Sequence, residues 1–125
     1  MKSTVRLLAV LVLLVATYAP AAFADDAVAT MAKIVSSLQH FPNDEDKQAL
    51  AAIGAGDANE SVKAVASAIA GISHKVGGAD KATLEAIAAN DAESAPLREL
   101  ATIVVGVHHM PSAEAKIALA ALSGE

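Results

Sequence analysis

The sequence predicts an all-α fold of three tandem αα-hairpin repeats, six helices in all, and three observations predict it. One pattern recurs three times: His40, Lys47, Leu50 and Ile53; His74, Lys81, Leu84 and Ile87; His109, Lys116, Leu119 and Leu122. Successive copies are offset by 34 and then 35 residues, a period that marks stacked supersecondary units. Alanine, the best helix former, is abundant, and the apolar residues recur at steps of three and four. No segment alternates apolar and polar residues as a strand would.

The N-terminal 24 residues read as a signal peptide ahead of one helical-repeat domain, residues 25–125. Lys2 and Arg6 form a positive start, Leu7 to Tyr18 an apolar run, and Ala22-Phe23-Ala24 a small-residue cleavage site. The run is short for a membrane span, which needs roughly 20 residues. Export to a bacterial periplasm or beyond is the expected destination. There is no cysteine, which excludes disulfides and thiolate metal sites. An exported chain of this kind is held by packing alone.

The first helix of each unit shows a single apolar stripe. It runs Val28, Met31, Val35, Leu38 in the first unit, Val62, Val65, Ile69, Ile72 in the second and Leu97, Leu100, Val104, Val107 in the third. Ala32, Ala66 and Ala101 recur beside it. Ser37, Gly71 and Gly106 recur three residues before the histidine. Glycine inside a helix costs about 1 kcal/mol relative to alanine, so a packing role is expected for Gly71 and Gly106.

Each histidine is followed by a break: Phe41-Pro42-Asn43, Lys75-Val76-Gly77 and Met110-Pro111-Ser112. Asn43, Gly77 and Ser112 then suit the N-cap of the second helix. That helix is expected to bury Leu50 and Ile53, Leu84 and Ile87, or Leu119 and Leu122, accompanied by Ala52, Ala86 and Ala121. The next unit opens at Asp57-Ala58-Asn59-Glu60, and the last at Ser94-Ala95-Pro96, with proline in the first turn. The period and the two-helix unit resemble tetratricopeptide-type repeats in geometry. The Trp and Tyr of that consensus are absent, and its terminal Pro has no counterpart. Both an open solenoid and a compact six-helix bundle satisfy the pattern.

Charge and composition narrow the function. Removing Lys2 and Arg6 takes the net charge from −5 to −7, which disfavours nucleic acid and anionic membranes. Only Phe41 remains as an aromatic beyond the leader, so no stacking platform is expected. No nucleophile elbow, phosphate loop or H-E-x-x-H motif is present, and the expectation is a non-catalytic binding or scaffold module without a cofactor. Its partner would be a protein or peptide, with Phe41 and Met110 as contacts at the loop tips; a staple role in each turn is the plainer reading of both.

The histidines carry the alternative function, a metal- or pH-responsive protein. His40, His74, His108 and His109 are candidate ligands, since imidazole is the commonest metal ligand. No two stand at i and i+4. In stacked hairpins, equivalent positions are separated by at least the helix spacing of about 8–10 Å, too far to share an ion unless the units close tightly or dimerise. Each histidine is therefore read first as a plug at the end of a first helix, facing its last carbonyls. Lys47, Lys81 and Lys116 sit where the helix dipole disfavours a cation, so either each reaches back to the end of the paired helix or each is solvated with its stem covering apolar surface. The acids around Asp44-Glu45-Asp46 lack the spacing of a calcium loop and read as a solvated helix start.

Overall fold

The computed structural model describes residues 26–124; the predicted leader and its cleavage site lie outside the described residues. All regular structure among them is helical: α1 (26–36), α2 (Asp44–Ala55), α3 (Glu60–Ala70), α4 (Gly78–Ala89), α5 (Ala95–Val105) and α6 (Ala113–Leu122). No described helix is long and apolar enough to cross a membrane.

The helix starts follow from their caps. Asn43 accepts from Asp46 N at 2.8 Å, Asn59 from Val62 N at 2.9 Å, Ser94 from Leu97 N at 3.3 Å and Ser112 from Ala115 N at 3.1 Å. Each bond satisfies a backbone donor that has no partner inside the helix. Gly77 holds the same place before α4 without a side-chain bond. Pro96 lies in the first turn of α5, where its missing N–H costs nothing.

The predicted stripe is the core. Its twelve residues, and the companion Ala32, Ala66 and Ala101, are all at most 3 % exposed. Leu50, Leu84 and Leu119 bring one buried leucine from each second helix. Each such side chain contributes about 1.5–3 kcal/mol on leaving water. The core is wider than the stripe: Ile34 and Ala68 are buried too, and so are Pro42, Val76 and Pro111 just beyond each histidine. No polar or charged residue is buried among the described residues.

Three expectations change. Ala52, Ala86 and Ala121 face solvent, because α2, α4 and α6 bury only a narrow edge. Gly71 and Gly106 cap α3 and α5 from the right-handed helical region rather than admitting a close neighbour. A Cβ at Gly106 would meet nothing nearer than 3.6 Å, and Ser37 fills the same position after α1, so glycine is not required there. The histidines do not end the first helices; each stands four residues past the last helical residue.

The more extensive packing runs between units. α2 lies against α3 and α4 against α5, across short connections, while the longer segments holding the histidines separate α1 from α2, α3 from α4 and α5 from α6. α3 also meets α5. Those longer segments fold inward and join one another, which closes the three units into a compact bundle.

Candidate functional site

The closure is a cycle of three backbone hydrogen bonds. His74 N donates to His40 O (2.6 Å), His109 N to His74 O (2.6 Å) and His40 N to His109 O (2.5 Å). Each histidine gives its N–H to one neighbour and its carbonyl to the other, so the ring is complete. Units 34, 35 and 69 residues apart in sequence meet there.

The turns that make this possible are unusual. His40, His74 and His109 have φ of +69°, +72° and +63°, and they are the only non-glycine residues with positive φ among those described. Phe41 N donates to Gln39 O at 2.8 Å and Met110 N to His108 O at 2.6 Å, tight three-residue turns around His40 and His109. Around His74 the flanking residues also face each other, with Ser73 N donating to Lys75 O at 3.3 Å. Positive φ costs an L-residue about 1–2 kcal/mol, and glycine avoids that cost. All three positions carry histidine nevertheless, so the same strained conformation recurs in each unit.

The imidazoles converge. Their Nδ1 atoms are 3.3 Å apart between His40 and His74, and 3.1 Å apart for each other pair. Ring centroids lie 4.9–5.2 Å apart with planes at 70–80°, a three-bladed propeller. All three residues are exposed to solvent. The rings sit near enough to share an ion because the units close tightly, the case excepted from the separation expected of stacked hairpins.

Hydrogen bonding leaves one repulsive contact in this triangle whatever the tautomers. Each Nδ1 either carries a hydrogen or presents a lone pair. Three mutually adjacent atoms with two possible states always include one like pair, N–H against N–H or lone pair against lone pair. A cation bound by three lone pairs removes the conflict. A tetrahedral zinc ion with Zn–N of about 2.0–2.1 Å places its nitrogens about 3.3–3.4 Å apart. The observed spacing is within a few tenths of an ångström of that.

The triad is the only cluster of three or more His, Asp or Glu residues among those described whose ligand atoms could meet at one ion. His108, the fourth candidate, is exposed and outside it. Among the described residues no carboxylate or carbonyl is hydrogen-bonded to an imidazole of the triad, so no protein group orients these rings as in many metal-binding histidines.

The lysines do not reach back. Lys47 Nζ lies 6.0 Å from the Phe41 ring centroid, at the outer limit of a cation–π contact. The one ion pair among the described residues is Arg98–Asp91 at 3.6 Å, with Asp91 fully exposed. Lys81 and Lys116 are exposed, as a solvated helix start allows. Phe41 and Met110 are 57 % and 49 % exposed, so neither staples its turn; the prolines after them are buried in that role.

Fold and site together define a closed helical bundle of three hairpin units with a histidine triad where the units join. No family model matches the chain, and no curated protein or solved structure matches it either.

Proposed function

We propose that this protein binds a divalent transition-metal ion through Nδ1 of His40, His74 and His109. The mutual 3.1–3.3 Å spacing of the three Nδ1 atoms carries the reading. An all-imidazole set suits zinc, copper, nickel or iron, not magnesium or calcium. With no protein group orienting the rings, affinity falls short of that of buried structural sites by about 10–100-fold. A labile, exposed ion fits uptake, carriage or sensing better than permanent structural use. The leader-like start of the chain supports a place of action after export, which N-terminal sequencing of the mature protein tests.

Calorimetric titration of the metal-free full chain with zinc, copper(II) and nickel tests the proposal. One ion per chain is expected, with binding lost in His74→Gly and kept in His108→Ala. Binding that survives loss of a triad histidine, or no binding at all, would overturn it.

A second reading, contact with a protein or peptide, draws support from the exposure of Phe41 and Met110 beside the triad. Replacing both with serine and measuring partner crosslinking in the exported fraction tests that reading separately.

A further inference from the structure

Resting on the metal reading, we infer that the zinc-loaded triad activates water and hydrolyses small activated carboxylic esters. Three features of the site lead there. The donor set is three neutral nitrogens with no carboxylate in the cluster, so the charge of a bound dication stays uncancelled. The three donors occupy one face of the ion and leave its remaining position without a protein ligand. The ligand residues are exposed, so water fills that position. In catalytic sites a zinc ion held by three histidines lowers the pKa of its water far below that of bulk water, to about 7. Hydroxide is then present at neutral pH without a separate base.

The surroundings set the substrate class. A shallow depression of about 240 Å³ flanks His40, lined by its two chain neighbours Gln39 and Phe41 together with Ser37, Leu38, Asn43 and Asp46. A short acyl or aryl group fits there against the Phe41 ring. The backbone N–H groups of the three histidines are committed to the closing cycle and offer no oxyanion donors. The site therefore depends on a good leaving group.

The step balances as follows. Bound water releases a proton to solvent, and the hydroxide oxygen bonds to the ester carbonyl carbon. The carbonyl electron pair moves to oxygen and returns as the bond to the alkoxy oxygen breaks. The leaving alkoxide or phenoxide departs, and the carboxylic acid so formed gives its proton to that leaving group or to solvent. The carboxylate product gives way to a new water.

The test uses the full chain at a zinc occupancy fixed by calorimetry, with 4-nitrophenyl acetate as substrate. The expected rate per chain is at least about tenfold above that of His74→Gly with the same total zinc, and rises with pH through one ionisation at about 7. His108→Ala keeps the rate. Zinc bound to the triad with hydrolysis no faster than in His74→Gly sinks the hydrolytic inference and leaves the metal reading standing. Failure to bind zinc sinks both. Circular dichroism of His74→Gly confirms that the comparison is between folded proteins.

Discussion

His40 and His109 are joined twice: the His40 N–H donates to the His109 carbonyl, and their Nδ1 atoms stand 3.1 Å apart. The first and third units are thus closed by the same residues that would hold an ion. Metal binding and closure become one equilibrium, since an ion that needs all three rings binds only the closed bundle.

Zinc is expected to raise the melting temperature. At a hundredfold excess over its dissociation constant, a ligand bound only to the folded state adds about 2.7 kcal/mol. For a domain of about 60–100 residues, at about 4–8 °C per kcal/mol, the rise is on the order of 10–20 °C. Calorimetry with and without a chelator measures it, and an unchanged transition would refute the coupling.

Acid is expected to weaken the complex. Protons compete with the metal for the same lone pairs, so binding releases protons and affinity rises with pH. Titrations at about pH 5.5 and about pH 7.5 should differ by at least about tenfold. Equal affinities would mean that the imidazoles are not the ligands.

The strained backbone separates stability from function. Glycine at position 74 relieves the cost of φ +72° but gives the unfolded chain more entropy to lose on folding, so His74→Gly is expected to shift metal-free stability by between about 0 and +1 kcal/mol. It should abolish the zinc-dependent rise in melting temperature. His74→Val puts a β-branched side chain in the same conformation and is expected to destabilise by about 1–2 kcal/mol. Urea denaturation without metal ranks the three proteins.

The caps give a second ranking. Asn43→Ala removes the acceptor for Asp46 N and is expected to cost about 0.5–2 kcal/mol. Gly77 has extended backbone and open space around an added Cβ, so Gly77→Asn is expected to gain a few tenths of a kcal/mol by supplying the missing cap. Thermal denaturation of both variants checks the opposite signs.

In the core, Leu84→Ala is expected to cost about 2–5 kcal/mol, because Leu84 is fully buried and its site cannot fully collapse. Ile117 is 75 % exposed, and Ile117→Ala is expected to stay within about 0.5 kcal/mol of the parent. A shift of similar size for both would place α6 differently from the structure.

The helices were legible because their signals are local. Val62, Val65, Ile69 and Ile72 mark a face by spacing alone, and Asn43, Ser94 and Ser112 announce helix starts by chemistry within three residues, whereas α3 starts two residues later than expected, capped by Asn59 and not by Asp57. Ala52, Ala86 and Ala121 misled because alanine tolerates core and surface alike, and only neighbours decide between them. The turn conformation was hidden for a related reason. Glycine advertises positive φ, whereas histidine at φ +69° gives no sign of it. The recurrence of His40, His74 and His109 showed that one structural position was used three times, yet it could not show that the three copies touch.

By itself, then, the sequence determined six amphipathic helices in three equivalent units, with a histidine at the same place in each. Spacing and capping are properties of a few consecutive residues, so the chain states them directly. Only the tertiary structure decided that the units close, and that closure turns three separate imidazoles into a triangle 3.1–3.3 Å on a side. The physical reason is distance along the chain: the cycle of backbone bonds joins residues 34 to 69 positions apart, and no local pattern records which distant carbonyl an N–H will find.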